Sequence, residues 1–156
     1  MFRKMRRFKQ ALTEQECIEI LQNSPRGILA VHGEDGYPYA LPMNFIYRND
    51  RLFFHCAKEG HKIDALAMNN KVSFCVLNEG YKKEGEWALN IGSVIIFGKM
   101  IEINDWDTII EIARGLALKH YPTPEAAEAE VNKVNDRVQM LELVIDHMSG
   151  KLVNES

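Results

Sequence analysis

The chain has 156 residues, of which 46% are hydrophobic and 26% charged, and its formal net charge is −3. This length and composition predict a single soluble globular domain, residues 1–156, that is large enough to bury a core. A negative net charge gives no electrostatic reason to expect a nucleic-acid partner. No apolar run approaches the ~20 residues of a membrane span, and no signal-peptide apolar segment follows the basic stretch MFRKMRRFK. We therefore expect a cytoplasmic protein without a membrane partner.

Helices are marked by caps and by apolar residues three or four positions apart. Thr13 and Glu16 form a capping box ahead of the first helix. Asn104 or Asp105 can cap a longer helix, which Pro122 ends. These patterns predict helices at residues 14–22, 61–68, 105–120 and 126–135.

Strands are marked by β-rich runs between turn residues, and Pro42 indicates a bulge or an edge in the second of them. The predicted strands are residues 27–32, 39–47, 52–56, 71–77, 93–103 and 141–146. Short connections between most of them, interrupted by helices, predict a mainly β, antiparallel barrel with helices on its outside. Neither a Gly-x-Gly-x-x-Gly nor a Walker sequence is present, which counts against a Rossmann or P-loop nucleotide site.

Metal binding and disulfides are not expected. The three cysteines, Cys17, Cys56 and Cys75, include no Cys-x-x-Cys pair, and an odd number favours reduced thiols. His55 and Cys56 are neighbours on a predicted strand, so their side chains point to opposite faces and cannot easily share a metal ion.

The strand-to-helix turn at residues 58–62, KEGHK, has features that favour an anion. A helix N-terminus offers unpaired N–H groups and a positive dipole end. Gly60 allows close approach of the backbone, Lys62 adds a full charge, and His61 or Lys58 can add a donor. The turn predicts a phosphate site, and a solvated basic turn is the alternative.

The second strand has a feature suited to a flavin. Pro42 is expected to interrupt pairing and to free main-chain groups beside Met43 and Asn44. An isoalloxazine ring needs such groups, because acceptors and donors alternate along its pyrimidine edge.

Four segments, in chain order, resemble the flavin-binding split-barrel proteins related to pyridoxamine 5′-phosphate oxidase. They are YPYALPMNFIY, FFHCAKEGHKIDAL, SVIIFGKMIEI and LVIDHMSGK. The resemblance is closest to the Nim-type 5-nitroimidazole resistance branch, whose members also tend to begin with a MFRxMRR-like stretch. It implies a Greek-key split β-barrel that forms a homodimer, with one FMN in each of two clefts at the interface.

The resemblance also implies roles for individual residues. The backbone of residues 41–45 would lie along the flavin ring, and His55 and Cys56 would flank the ribityl chain and phosphate. Lys62, with His61 beside it, would hold the phosphate, and Ser93 would reach the flavin from the partner subunit. The implied cofactor-binding residues are Leu41, Pro42, Met43, Asn44, Phe45, His55, Cys56, Lys58, Gly60, His61, Lys62 and Ser93.

Two departures from the oxidases bear on function. Oxidase relatives usually carry an Arg-Lys pair where this chain has His61-Lys62, which leaves one fixed cation fewer for the phosphate. The C-terminal LVIDHMSGKLVNES contains no Trp or Arg, whereas the oxidases use such residues to bind pyridoxal phosphate. FMN binding is therefore expected, and vitamin B6 oxidation is not.

The implied activity is a Nim-like, FMN-dependent reduction of a nitro group on a small aromatic compound, with NAD(P)H or another electron donor. His61 or His55 could supply a proton because imidazole titrates near neutral pH. His61 is the candidate catalytic residue, weighed against a simple phosphate contact. The alternative function is a non-catalytic split barrel that holds flavin or haem for storage or sensing.

The sequence leaves the roles of one cysteine and two tryptophans open. Cys56 could be a thiolate stabilised by the cationic turn or a small core residue. Trp87 and Trp106 are expected to anchor the core or a dimer interface, and Trp87 could instead stack near the flavin.

Overall fold

The computed structural model describes residues 1–156, in which helices flank seven strands. The helices are α1 (Glu14–Asn23), α2 (His61–Met68), α3 (Trp106–His120) and α4 (Pro124–Val131). The strands are β1 (Arg26–His32), β2 (Pro38–Asn44), β3 (Ile46–Arg48), β4 (Arg51–Ala57), β5 (Lys71–Leu77), β6 (Asn90–Ile103) and β7 (Val138–Asn154). No helix combines the length and the apolarity needed to cross a membrane.

The strands form one antiparallel sheet in the order β2-β1-β5-β6-β7-β4-β3. The sheet curls, so that β2 at one edge approaches β4 near the other. The result is a split barrel with helices on its outside, and the predicted fold class is confirmed.

Three phenylalanines fill the interior of the barrel. Phe45, Phe54 and Phe74 are each 0% exposed. The ring of Phe74 meets the other two edge-on, with centroids 5.1 Å apart in each pair. Edge-to-face packing of this kind adds about 0.5–1.5 kcal/mol per pair to the burial itself.

The sequence predicted two helix caps and the bounds of two elements correctly, because these features depend on neighbouring residues. Thr13 Oγ1 accepts from the Glu16 amide at 3.2 Å, and Glu16 Oε2 accepts from the Thr13 amide at 2.7 Å, which completes the predicted capping box. Asp105 caps α3 by accepting from the Thr108 amide at 2.9 Å. The bounds of α2 and β5 agree with prediction.

Pro42 does not break the second strand. It lies inside β2, in register opposite Ile28, and the chain leaves the ladder only at Phe45, between β2 and β3. Pro42 is tolerated because β2 is an edge strand, whose outer side has no neighbour in the sheet. The edge position, rather than an interruption at Pro42, leaves main-chain groups free.

Two other expectations were wrong. β7 runs to Asn154 instead of ending at residue 146, because β6 pairs with it along its whole length and tolerates a bulge between Phe97 and Gly98. The last helix ends at Val131, before the predicted residue 135.

The two tryptophans do not belong to the core. Trp87 and Trp106 are 74% and 50% exposed. Their place at a dimer interface, or for Trp87 near the flavin, stays a prediction.

Lys119, near the end of α3, joins three elements. Its Nζ donates to the carbonyl oxygens of Phe45 at 2.9 Å and Leu21 at 3.3 Å. The same atom lies 3.9 Å from the centroid of the Phe45 ring. Burial lowers the pKa of Lys119 to about 8, so the side chain is still mostly protonated at neutral pH. Lys119 thereby fixes the β2–β3 junction against α1 and α3.

We expect Lys119→Ala to lower the free energy of unfolding by about 1.5–3 kcal/mol, since two carbonyls lose a charged donor. Urea denaturation at pH 7 measures this. Lys119→Met should lose less, because its stem still covers Phe45. Lys71→Ala, at an exposed lysine on β5, should change stability by no more than about 0.5 kcal/mol. Equal losses in the two alanine variants would contradict the assigned role.

Candidate functional site

Strand alternation divides the predicted site residues between the two sides of the barrel wall. Met43 and Phe45 are 8% and 0% exposed and belong to the core. Leu41 and Cys56 pack against the same core. Pro42, Asn44 and His55 lie at the alternate positions and are exposed or partly exposed. Met43 and Phe45 can therefore contact a ligand outside the barrel only through their backbones, whereas Leu41 is partly buried.

The turn before α2 is open and has the geometry of an anion site. Gly60 has a φ of +124°, which residues with a side chain rarely adopt, and nothing lies within 4 Å of the position that its Cβ would occupy. Gly60 is also the N-cap and supplies no side-chain cap. Lys62 is half-buried on the first turn of α2, and Lys58 is exposed. The first amides of α2 and these cations together suit a phosphate.

His61 is held against β2 by a residue that sequence reasoning did not assign. Its ring stacks on Tyr39, with the centroids 4.2 Å apart and the planes 21° from parallel. Tyr39 lies on the same strand as the predicted flavin segment. An aromatic residue next to that segment was the sequence feature that could have indicated this contact. The stack places the α2 turn beside β2, as a site shared by the two elements requires.

The positive charge of Lys62 affects the pKa values of both His55 and Cys56. His55 is exposed at the surface, but the protein atoms packed around its ring remove part of its hydration. This desolvation first, and the charge of Lys62 second, lower the pKa of His55 below its usual value. Burial raises the pKa of Cys56; Lys62 opposes this rise and Glu102 adds to it. The net effect keeps Cys56 as a thiol, which supports its interpretation as a core residue.

A cavity of about 310 Å³ lies between β4, β7, α3 and α4 and brings Asn44 and His55 together. His120, at the end of α3, lines the same cavity, and its Nε2 is buried without a hydrogen-bond partner. Burial, and then the charge of Lys119, lower the pKa of His120. No local pattern indicated His120, because only the packing of α3 brings it near His55.

Ser93 lies apart from these residues. It is in register with Leu77 and Lys151 and lines a concavity beside the N-terminal residues 2–5. Within one chain it does not join the α2 turn, and a contact from the partner subunit stays a prediction. The chain contains no group of three or more His, Cys, Asp or Glu side chains arranged to hold a metal ion.

The two histidines of the cavity make stability depend on pH. Their pKa values are lower in the folded protein than the 6.5 of an unperturbed imidazole, so the unfolded chain binds more protons in mildly acidic solution. We expect the free energy of unfolding to be fully present above pH 6.5 and to fall as the pH drops through the folded pKa values.

Urea denaturation between pH 5 and 7.5 measures this dependence. His55→Gln and His120→Gln should each flatten it, whereas His32→Gln, at an exposed histidine on β1, should leave it unchanged. A profile that keeps its slope when both cavity histidines are replaced would refute their contribution.

Three solved structures share the fold. A candidate 5-nitroimidazole antibiotic resistance protein from Bacteroides thetaiotaomicron is 22% identical, with a TM-score of 0.76 over 92% of this chain and 87% of that one. A FAD-binding protein from Mesorhizobium loti is 24% identical, with a TM-score of 0.70 over 92% and 96%. The FAD and haem binding protein from Mycobacterium smegmatis is 22% identical, with a TM-score of 0.72 over 94% and 74%. At these identities the likeness concerns the fold.

The comparison with curated proteins found no match. A sequence model of the family described as pyridoxamine 5′-phosphate oxidase, in contrast, matches residues 13–152, from just before α1 almost to the end of β7. The chain therefore belongs to the pyridoxamine 5′-phosphate oxidase family.

Proposed function

We propose that the protein binds FMN and is an oxidoreductase that reduces the nitro group of nitroimidazoles or other small aromatic compounds. The observation that carries the proposal is the open α2 turn with Lys62, which the His61–Tyr39 stack joins to the edge strand β2. Membership of the family and the fold shared with a candidate 5-nitroimidazole resistance protein support it.

The residues present fit the phosphate and ring of FMN. Gly60, the first amides of α2 and Lys62 suit the phosphate, and His61 and Lys58 can add donors. The outer edge of β2 leaves backbone groups available for the pyrimidine edge of the ring. We identify no second site suited to an adenylate, which favours FMN over FAD.

Bound FMN supplies the electron transfer, and the chain supplies position and protons. Lys62 and the α2 turn orient the phosphate end of the cofactor. His61, held by Tyr39, is the proposed proton donor. His55 lines the cavity and is within range of the charge of Lys62. The absence of Trp and Arg from the C-terminal half of β7 argues against pyridoxamine phosphate oxidation.

We also propose a homodimer that completes the cofactor site. The outward face of the sheet carries an apolar row in which Ile28, Cys75 and Ile95 are in register across three strands. Ile28 and Ile95 are 44% and 37% exposed, and Phe97 nearby is 41% exposed. A second copy of the chain would cover this surface. Leu143 of β7 is buried in the core and adds nothing to this surface.

Reconstitution with excess flavin followed by mass spectrometry of the released cofactor tests the first half of the proposal. We expect FMN; recovery of FAD, or of no flavin, would overturn it.

Anaerobic reduction by NADH and NADPH, followed by a panel of nitroaromatics and quinones, tests the activity. If His61 donates the proton, His61→Gln should retain flavin and lose nitro reduction, whereas a loss of flavin affinity would assign His61 to the phosphate.

A non-catalytic flavin or haem carrier is the second candidate. The fold shared with a FAD and haem binding protein favours it. An absorption spectrum distinguishes the ligands, because a haem gives a Soret band and a flavin does not. A reconstituted flavoprotein that no electron donor reduces would favour the carrier.

A further inference from the structure

A groove of about 740 Å³ lies on the outward face of the sheet, where β1 ends and β5 begins. Its volume is within the range of small-molecule pockets. None of Lys58, Gly60, His61 or Lys62 lines it, so it is distinct from the proposed phosphate site. The charged and titratable side chains of its lining are all exposed to solvent: His32, Lys71, Lys99 and Asp146.

The groove contains two lysines that face each other across neighbouring strands. Lys71 of β5 and Lys99 of β6 are in direct register, and both point outward, since Val72 and Met100 beside them are buried in the core. Residues opposite one another in this way have Cβ atoms about 4.5–5.5 Å apart, so like charges there repel. The four ion pairs of the chain include neither lysine. An anion bound between the two would remove this repulsion.

The other polar groups do not neutralise the lysine pair. Asp146 on β7 is the one carboxylate of the lining, and it forms no ion pair. Ala30 and Ser73 are in register, and His32 and Lys71 each lie two residues beyond them, which brings His32 to the same end of the sheet. Its imidazole can donate a further hydrogen bond. The groove is therefore positively charged, although the chain as a whole has a net charge of −3.

Aromatic rings form an apolar wall of the groove. Phe2 lies flat on Phe97, with the ring centroids 5.6 Å apart and the planes 5° from parallel. Phe2 also stacks on His147, with the centroids 4.8 Å apart. Phe2, Tyr37 and Phe97 are all exposed, so each ring is accessible to a ligand. A flat aromatic body would pack favourably against them.

We infer that this groove binds a small aromatic carboxylate, whose anionic group lies between Lys71 and Lys99 and whose ring packs against Phe2 and Phe97. Strand pairing engages the main chain of β5 and β6 here, so the groove lacks the cluster of free N–H groups that holds a phosphate at a helix N-terminus. Two ammonium groups instead suit the two oxygens of a carboxylate. This binding goes beyond the proposed function, because it requires no flavin. It does require that the groove stays open in the proposed dimer, whose apolar surface it adjoins at Phe97.

2-Naphthoate and 2-naphthamide form a matched pair of probes, equal in shape and different in charge. Titration of the flavin-free protein, followed by NMR of the backbone amides of Ser73 and Phe97, should show saturable binding of naphthoate. Naphthamide should bind about four- to twentyfold more weakly, because each exposed lysine contributes about two- to fivefold to the binding of an anion. Acetate, which has the charge without the ring, should bind at least about tenfold more weakly than naphthoate.

Lys71→Glu separates binding from stability. It replaces the repelling pair with a glutamate and a lysine in register, so we expect the midpoint of urea unfolding to rise slightly. Naphthoate affinity should fall at least about tenfold. Lys99→Glu, the reciprocal change, should have the same two effects. Lys83→Glu makes an equal change of charge in the exposed loop between β5 and β6 and should leave naphthoate affinity unchanged.

The outcomes separate this inference from the proposed function. Failure of the unmodified protein to bind naphthoate would overturn the inference, as would equal binding of naphthamide or full naphthoate affinity in both glutamate variants. Displacement of naphthoate by FMN, together with loss of FMN binding in Lys71→Glu, would also overturn it, since the groove would then be part of the flavin site. Naphthoate binding in the groove of a protein that takes up no flavin would support the inference and reject the flavin function.

Discussion

Replacing Lys62 with alanine is expected to weaken FMN binding by about 1.5–3 kcal/mol, or about 10- to 150-fold in Kd. Lys62 is the half-buried cation on the first turn of α2, and its charge acts on both His55 and Cys56. A partly desolvated ammonium forms a stronger charge-assisted hydrogen bond to phosphate than an exposed one. Fluorescence titration of the flavin-free protein measures the loss.

Variants at other lysines distinguish this contact from a general effect of positive charge. Lys58→Ala removes an exposed cation of the same turn and should cost less, because solvent screens it. Lys82→Ala, in the exposed loop between β5 and β6, should have no effect. Riboflavin, which lacks the phosphate, should bind Lys62→Ala and the unmodified protein equally. A Lys62→Ala variant with full FMN affinity would refute a phosphate site at this turn.

Replacing Ile95 with aspartate is expected to convert the proposed dimer into a monomer and to remove most flavin binding. Ile95 lies at one end of the apolar row, between Cys75 on β5 and Ser149 on β7. A carboxylate there would be buried without a partner in the dimer, which costs several kcal/mol. Sedimentation should give roughly twice the 17.9 kDa chain mass for the unmodified protein and one chain mass for the variant.

Leu118→Asp is the matched control for this experiment. Leu118 is 54% exposed on α3, outside the row, and its replacement should preserve both the dimer and the flavin. Circular dichroism establishes that Ile95→Asp still folds, as an exposed position predicts. A monomer that retains tight flavin binding would show that the cofactor site is complete within one chain.

The strand-to-helix turn and the helix caps were predictable from short stretches of sequence. Gly60 and Lys62 are positioned by the start of α2, whose first turn depends only on nearby residues. The capping box of Thr13 and Glu16 is equally local. Each of these features is set by backbone conformation over a few positions, which neighbouring side chains determine.

Strand lengths and exposure were less predictable, because they depend on partners far along the chain. β7 extends through Gly150 to Asn154 since β6 supplies pairing partners throughout, although the residues after Asp146 do not alternate strictly. Proline usually interrupts strand pairing, but Pro42 stays within β2 because β2 is an edge strand. Trp87 and Trp106 show the same limit, since hydrophobicity alone did not reveal that both are exposed.

The sequence by itself determined the antiparallel barrel, the order of its elements and the cationic turn at residues 58–62. These follow from periodicity, caps and turn residues, which act over short distances. Only the tertiary structure decided that Tyr39 stacks on His61 and that His120 shares a cavity with His55. It also decided that Lys119 holds the Phe45 carbonyl. These contacts join residues separated by whole strands and helices, and only the curling of the sheet and the docking of α3 bring them within reach of one another.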